Sequence, residues 1–211
     1  MAFSKLLAPL VALLLLPLPA FAQASAPPAA EAANDLPIVT LDTGLGPIVI
    51  ALDTVHAPVT AANFLRYVEE KRLDGTGFYR AMTIADGLGL IQGGTRNDPR
   101  RTLPGIAHEA TSETGLRHTD GTISMARGAP GTASGDFFIL IGDMPSLDAV
   151  EGEGDTAGFA AFGRVIEGMD VVRAIAARPT SPTLGEGVMR GQMLDPVVAI
   201  RAARVTDRPA P

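Results

Sequence analysis

The chain has 211 residues, a formal net charge of −6 and no cysteine. Its length points to one domain with appendages. The missing cysteine excludes disulfides, thiolate nucleophiles, cysteine-type zinc sites and a lipid-modified lipoprotein N-terminus. An acidic chain without a basic patch is a poor partner for nucleic acid or for an anionic membrane surface.

Residues 1–22 read as a secretory signal peptide. Lys5 supplies the positive start, residues 6–16 the apolar stretch, and Ala20-Phe21-Ala22 the small-residue cleavage pattern. The apolar run is broken by Pro9, Pro17 and Pro19 and is short for crossing a bilayer. A periplasmic or secreted location is therefore expected. Residues 23–35 are rich in Ala and Pro with nothing to bury, which predicts a disordered tether. The remainder, residues 36–207, is long enough to bury a core without disulfides.

That remainder opens with two β-rich runs, 38–41 and 48–52, around Thr43-Gly44-Leu45-Gly46, so a hairpin is expected. Pro58 stands at a plausible first helical position, where Thr60 and Asn63 can serve the N-terminus. Ala61, Phe64, Leu65 and Val68 then recur at helical spacing and stop before Asp74-Gly75. Residues 77–82 and 90–92 read as strands separated by a loop. Residues 95–120 are polar and carry Pro99, Pro104 and Gly105, the marks of a long surface excursion. Further on, 159–166 reads as a strand and 169–177 as an amphipathic helix with Asp170 near its positive end. Arg178-Pro179 ends that helix, and 196–205 alternates well enough for a last strand.

Between these lies GTISMARGAPGTASGDFFILIG, residues 121–142. Two short apolar runs flank a loop containing Gly128, Gly131 and Gly135, which predicts a hairpin beside a shallow apolar groove suited to an extended peptide. Phe137 and Phe138 are neighbours, so in a strand they face opposite ways. Seven or eight short strands with two helices argue for an all-β barrel or sandwich.

The segment ISMARGAPGTASGDFFI resembles the long signature of the cyclophilins, which are peptidyl-prolyl cis/trans isomerases. FYR at 78–80, IQGG at 91–94 and FGRVIEGMDVV at 162–172 agree with that family in the same order. The resemblance implies a closed eight-stranded antiparallel barrel capped by a helix at each end. It further implies an isomerase acting on Pro-containing peptides, and rotation about an X–Pro bond needs neither metal nor cofactor. The signal peptide makes unfolded exported proteins the expected clients, and a monomer is expected because no apolar stripe is left over.

By the same resemblance, Arg80 matches the catalytic arginine and Gln92 the glutamine that contacts substrate backbone. Phe138 matches the floor of the proline pocket, whereas Phe137 is the core residue. Leu90, Leu147 and Phe159 fall at further pocket positions, and Ala126 and Arg127 where a strand edge pairs with peptide. The chain departs from the family's pattern at several points. The segment between Arg80 and Gln92 is longer, and Gly89 replaces a pocket phenylalanine, which should open the pocket. Ser146 replaces a tryptophan, Phe159 a histidine and Asp136 a glutamine.

Other chemistries fit poorly. His56, His108 and His118 are the only histidines, and none sits in a G-x-S-x-G or H-E-x-x-H context. Asp148, Glu151, Glu153 and Asp155 lack calcium-loop spacing and read as a solvated acidic loop. The remaining alternative is a module of the same fold that binds Pro-peptides without accelerating isomerisation.

Overall fold

The computed structural model describes residues 36–152 and 155–209. The expected signal peptide, the tether and Glu153 lie outside them. In chain order the elements are β1 (Ile38–Thr43), β2 (Gly46–Leu52), α1 (Pro58–Glu69), β3 (Thr76–Ala85) and β4 (Leu88–Gly94). They continue with the short α2 (Thr111–Thr114), β5 (Thr122–Met125), β6 (Asp136–Ile141) and β7 (Ala161–Glu167). Last come α3 (Met169–Ala176), β8 (Thr180–Ser181) and β9 (Met193–Thr206).

Hydrogen-bonded neighbours run β1-β2-β7-β5-β6-β4-β3-β9, and β1 pairs again with β9 from Ile38↔Thr206 to Thr43↔Ile200. Eight antiparallel strands therefore close into a barrel, and the two-residue β8 only appends to β9. Closure resolves the choice between barrel and sandwich and leaves the ring without an open ladder edge.

The interior is filled by alternate residues of each strand. Ile91, Ile123, Phe137, Ile139 and Phe162 are fully buried there. The two longer helices seal opposite ends. At the start of β6, α1 packs Phe64 edge-on to Phe137, with ring centroids 5.2 Å apart. At the other end, α3 buries Val172 and Ile175, and its Arg173 and Ala176 share a small cavity with Ile141, the last residue of β6.

Several local expectations need correction. The stretch between Arg80 and Gln92 is not a loop. β3 runs on to Ala85 and β4 begins at Leu88, joined by Asp86-Gly87 with Gly87 at φ +69°. Asp-Gly between strand-forming residues is a two-residue hairpin turn, and it lets both strands run on almost to the turn. Strand β7 starts at Ala161, leaving Phe159 in the preceding loop, and β9 starts earlier than expected, at Met193.

The helix cap also differs. α1 begins at Pro58 as anticipated, but neither Thr60 nor Asn63 caps it. The Glu109 carboxylate reaches in from the 95–120 excursion and accepts from Val59 N at 3.0 Å, Thr60 N at 2.8 Å and Thr60 Oγ1 at 2.6 Å. A carboxylate satisfies orphan N–H groups and opposes the positive end of the helix dipole.

Candidate active site

The outward-facing residues of β3, β4, β6 and β5 form one row across the barrel wall: Arg80 pairs with Gln92, Gln92 with Phe138, and Phe138 with Ser124. Strand alternation puts Phe138 outside and Phe137 inside, as the sequence implied. Outside the wall, Leu90, Phe138, Leu140 and Met144 make an apolar cluster distinct from the core, flanked by Met82, Leu88, Ala126, Leu147 and Phe159.

A cavity of about 560 Å³ opens over this cluster, with Arg80, Leu90, Gln92, Ala126, Arg127, Phe138, Leu147 and Phe159 all in its lining. The structure thus brings together the eight residues to which the resemblance assigns catalytic or substrate-binding roles. Tyr79, Met82, Arg96, Asp136, Met189 and Met193 line it as well. Gly89 is absent from that lining. A Cβ there would sit 2.3 Å from the Met82 carbonyl oxygen, so the position serves close strand approach and does not open the pocket.

Tyr79 is present because of a bulge. The β3–β4 register steps from Phe78↔Gly93 to Arg80↔Gln92, so Tyr79 is an extra residue. Phe78 remains in the core while Tyr79 and Arg80 both reach the outer cavity. No propensity at FYR announces such a bulge.

Around Arg80 the hydrogen bonds form a fixed cradle. Its Nη1 donates to Gln92 Oε1 at 2.8 Å, and Gln92 Nε2 donates to the Tyr79 hydroxyl at 2.8 Å. Nε and Nη2 both donate to Gln192 Oε1, at 2.9 and 2.7 Å. Burial draws the Arg80 pKa down from the ordinary guanidinium range, with Tyr79 opposing, and a guanidinium so placed stays charged at any working pH. Burial, reinforced by Asp136, pushes the Tyr79 phenol up, so its hydroxyl is neutral and free to accept from Gln92.

The opposite side is built by Arg127, whose side chain is 4% exposed. It donates to Gly158 O and Gly128 O, forks onto Asp155 at 2.7 and 2.9 Å, and stacks over the Phe159 ring at 5.1 Å. Phe159 N donates to Leu147 O at 2.9 Å and its ring meets Phe138 edge-on at 5.4 Å. The guanidinium is therefore spent on holding the 155–159 loop over the pocket. Ala126 lies just past the end of β5 with its N–H donating to Asp136 O. Because β5 is flanked by both β6 and β7, the strand itself offers no free edge.

Asp136 is itself buried, and its carboxylate accepts from Arg96 N at 2.8 Å. Behind Phe138 lies a second polar chain. His118 Nδ1 is 2.7 Å from Asp148 Oδ1, and its Nε2 is 2.9 Å from Ser124 Oγ. The imidazole stacks on the Phe138 ring at 6.2 Å and 16°. Asp148 is 7% exposed, so it is not part of a solvated loop. Ser124 is fully buried, which denies this serine, histidine and aspartate any contact with substrate. They support the pocket floor.

A closed antiparallel barrel with a cationic, apolar-floored groove on its outer wall is the architecture of the cyclophilin class. A solved structure of a Cryptosporidium parvum cyclophilin type peptidyl-prolyl cis-trans isomerase has the same fold, at a TM-score of 0.64 and 20% identity over 81% of this chain and 99% of that one. The family model for cyclophilin type peptidyl-prolyl cis-trans isomerase/CLD matches residues 38–203. Among curated relatives, a peptidyl-prolyl cis-trans isomerase of Acinetobacter baylyi is 40% identical over 68% of this chain and 74% of its own length. The isomerase cyp18 of Streptomyces antibioticus is 39% identical over 79% of this chain and 97% of its length. The chain belongs to the cyclophilin-type peptidyl-prolyl cis-trans isomerase family. It is a peptidyl-prolyl cis-trans isomerase.

Proposed function

We propose that the outer cavity binds an Xaa-Pro segment with the pyrrolidine ring against Phe138 and the prolyl nitrogen facing Arg80, and that the clients are polypeptides exported from the cytoplasm. Amide resonance sets a barrier of about 18–20 kcal/mol to rotation, and the twisted transition state has lost that resonance. A catalyst need only bind the twisted form better than either planar one. The prolyl nitrogen regains its lone pair as the bond turns, and a cationic N–H aimed at it strengthens at that moment. Gln92 holds the flanking backbone. Leu90, Ala126, Leu147 and Phe159 wall the ring, keeping one half of the bond still while the other turns.

The observation that carries this reading is the cross-strand row Arg80–Gln92–Phe138, which sets a cation and an apolar floor on one face. The Cryptosporidium relative was solved in the presence of the dipeptide Ala-Pro, a ligand of the proposed class. Export rests on residues 1–22.

Exchange spectroscopy on an Ala-Pro-containing peptide tests the site without a protease. Wild type accelerates exchange, and Arg80→Ala loses about a hundredfold while its melting curve is retained. If Arg80→Ala kept full activity, or if both proteins bound peptide while exchange stayed at the uncatalysed rate, the assignment would fall. For export, the mature N-terminus is expected at Gln23 in the extracytoplasmic fraction, and an intact Met1 in the cytoplasm contradicts it.

A further inference from the structure

A guanidinium carries five N–H bonds, and those of Arg80 can be accounted for one by one. The Nε–H and one Nη2–H go to Gln192 Oε1 at 2.9 and 2.7 Å. One Nη1–H goes to Gln92 Oε1 at 2.8 Å, and the other Nη2–H points at the weak acceptor Met82 Sδ at 3.7 Å. One N–H, on Nη1, has no partner among the described residues.

Gln192 is held as firmly as it holds. Its Nε2 donates to Val188 O at 2.9 Å, its N donates to Met189 O at 3.1 Å, and its O accepts from Ala81 N at 2.9 Å. It arrives from the segment just before β9 and is absent from the cavity lining. Both acceptors on the cation, Gln92 and Gln192, are neutral amides. A carboxylate in either place would grip the fork harder and compensate its charge at the same time.

We infer that Gln192 is the positioning residue of the isomerase site: it fixes the Arg80 fork without neutralising it, so that the unpaired Nη1–H faces the prolyl nitrogen. This rests on Arg80 being the catalytic cation. Gln192 acts through Arg80 and does not touch the substrate, so its loss affects turnover and not binding.

The test compares wild type with Gln192→Met, which keeps the length and loses the acceptor, and with Gln192→Glu, which keeps the acceptor and adds charge. The main-chain bonds of residue 192 survive both changes, and melting curves check the fold. In Gln192→Met, kcat is expected to fall about tenfold or more with KM within about twofold of wild type. The Arg80 Nε–H signal in nitrogen-edited spectra, sharp in wild type, should broaden or average. In Gln192→Glu that signal stays sharp while kcat still falls, because the charge is compensated.

Wild-type kcat in Gln192→Met, whether or not the Arg80 signal changes, would overturn the positioning role. So would a rise in KM with kcat unchanged. An Arg80→Ala variant measured alongside separates the two levels: if it keeps wild-type kcat, the catalytic reading of Arg80 fails, and if it is inactive while Gln192→Met is not, the role of Gln192 fails alone.

Discussion

Arg80 and Phe138 stand on the same outer surface of the barrel wall with only Gln92 between them in the ladder. Adjacent strands are about 4.8 Å apart, so two steps span roughly the width of a proline ring and its flanking imide. The cation is clamped by two amides, and the floor is backed by the His118 ring. Preorganisation of this kind lowers a rotation barrier with no covalent step, because nothing must reorient as the bond twists.

Lysine cannot replace Arg80. It keeps the charge but has one donor nitrogen for the two acceptors that Gln92 and Gln192 offer. Arg80→Lys is expected to retain the fold and lie between wild type and Arg80→Ala, with kcat/KM reduced about tenfold or more. Parallel exchange measurements on one peptide check this, and full activity in the lysine variant would argue that charge alone suffices.

The two adjacent phenylalanines should separate stability from binding. Phe137 is fully buried and meets Phe64 at 5.2 Å and Phe78 at 5.8 Å. Phe137→Ala should cost about 3–5 kcal/mol in denaturant unfolding. Phe138→Leu keeps apolar volume in the outer cluster and should cost below about 1.5 kcal/mol, yet weaken Pro-peptide binding clearly in titrations. Equal stability losses for the two would contradict the inside–outside assignment.

His118 makes stability depend on pH. Burial pushes its pKa below the ordinary 6.5, against the opposing pull of Asp148. The groups around it are Asp148, Ser124 and the Phe138 ring, with Arg117 3.6 Å from Asp148 on the outer side. The unfolded chain therefore takes up this proton at higher pH than the native one. The contribution of neutral His118 is complete above about pH 6.5 and is lost as pH falls toward the lower native value. Urea midpoints measured from pH 8 to pH 5 should fall more steeply for wild type than for His118→Gln. Parallel curves would show that His118 titrates alike in both states.

The strap over the pocket should depend more on its arginine than on its acid. Asp155 is 51% exposed whereas the Arg127 side chain is 4% exposed. Asp155→Asn should therefore change stability little, and the change should shrink as salt is added. Arg127→Ala strands the Gly158 carbonyl and removes the stack on Phe159, so it should cost about 2 kcal/mol or more and raise KM. Unfolding curves at low and high salt, with peptide titrations, compare them.

By itself the sequence determined what short-range periodicity can carry. The alternation that sends Phe137 inward and Phe138 outward, the hairpin at Gly44-Leu45, the Pro58 helix start and the order of motifs around Arg80, Gln92 and Phe138 are local signals. Asp86-Gly87 is a local signal too, a two-residue turn between Thr83-Ile84-Ala85 and Leu88-Gly89-Leu90. Tertiary structure alone decided the rest. Closure depends on β1 meeting β9 across the whole chain. The cap of α1 comes from Glu109, about 50 residues away, and the clamp on Arg80 comes from Gln192, 112 residues away. Periodicity states which face a side chain takes, but a polar partner is chosen by whichever distant segment the closed barrel brings within hydrogen-bonding range.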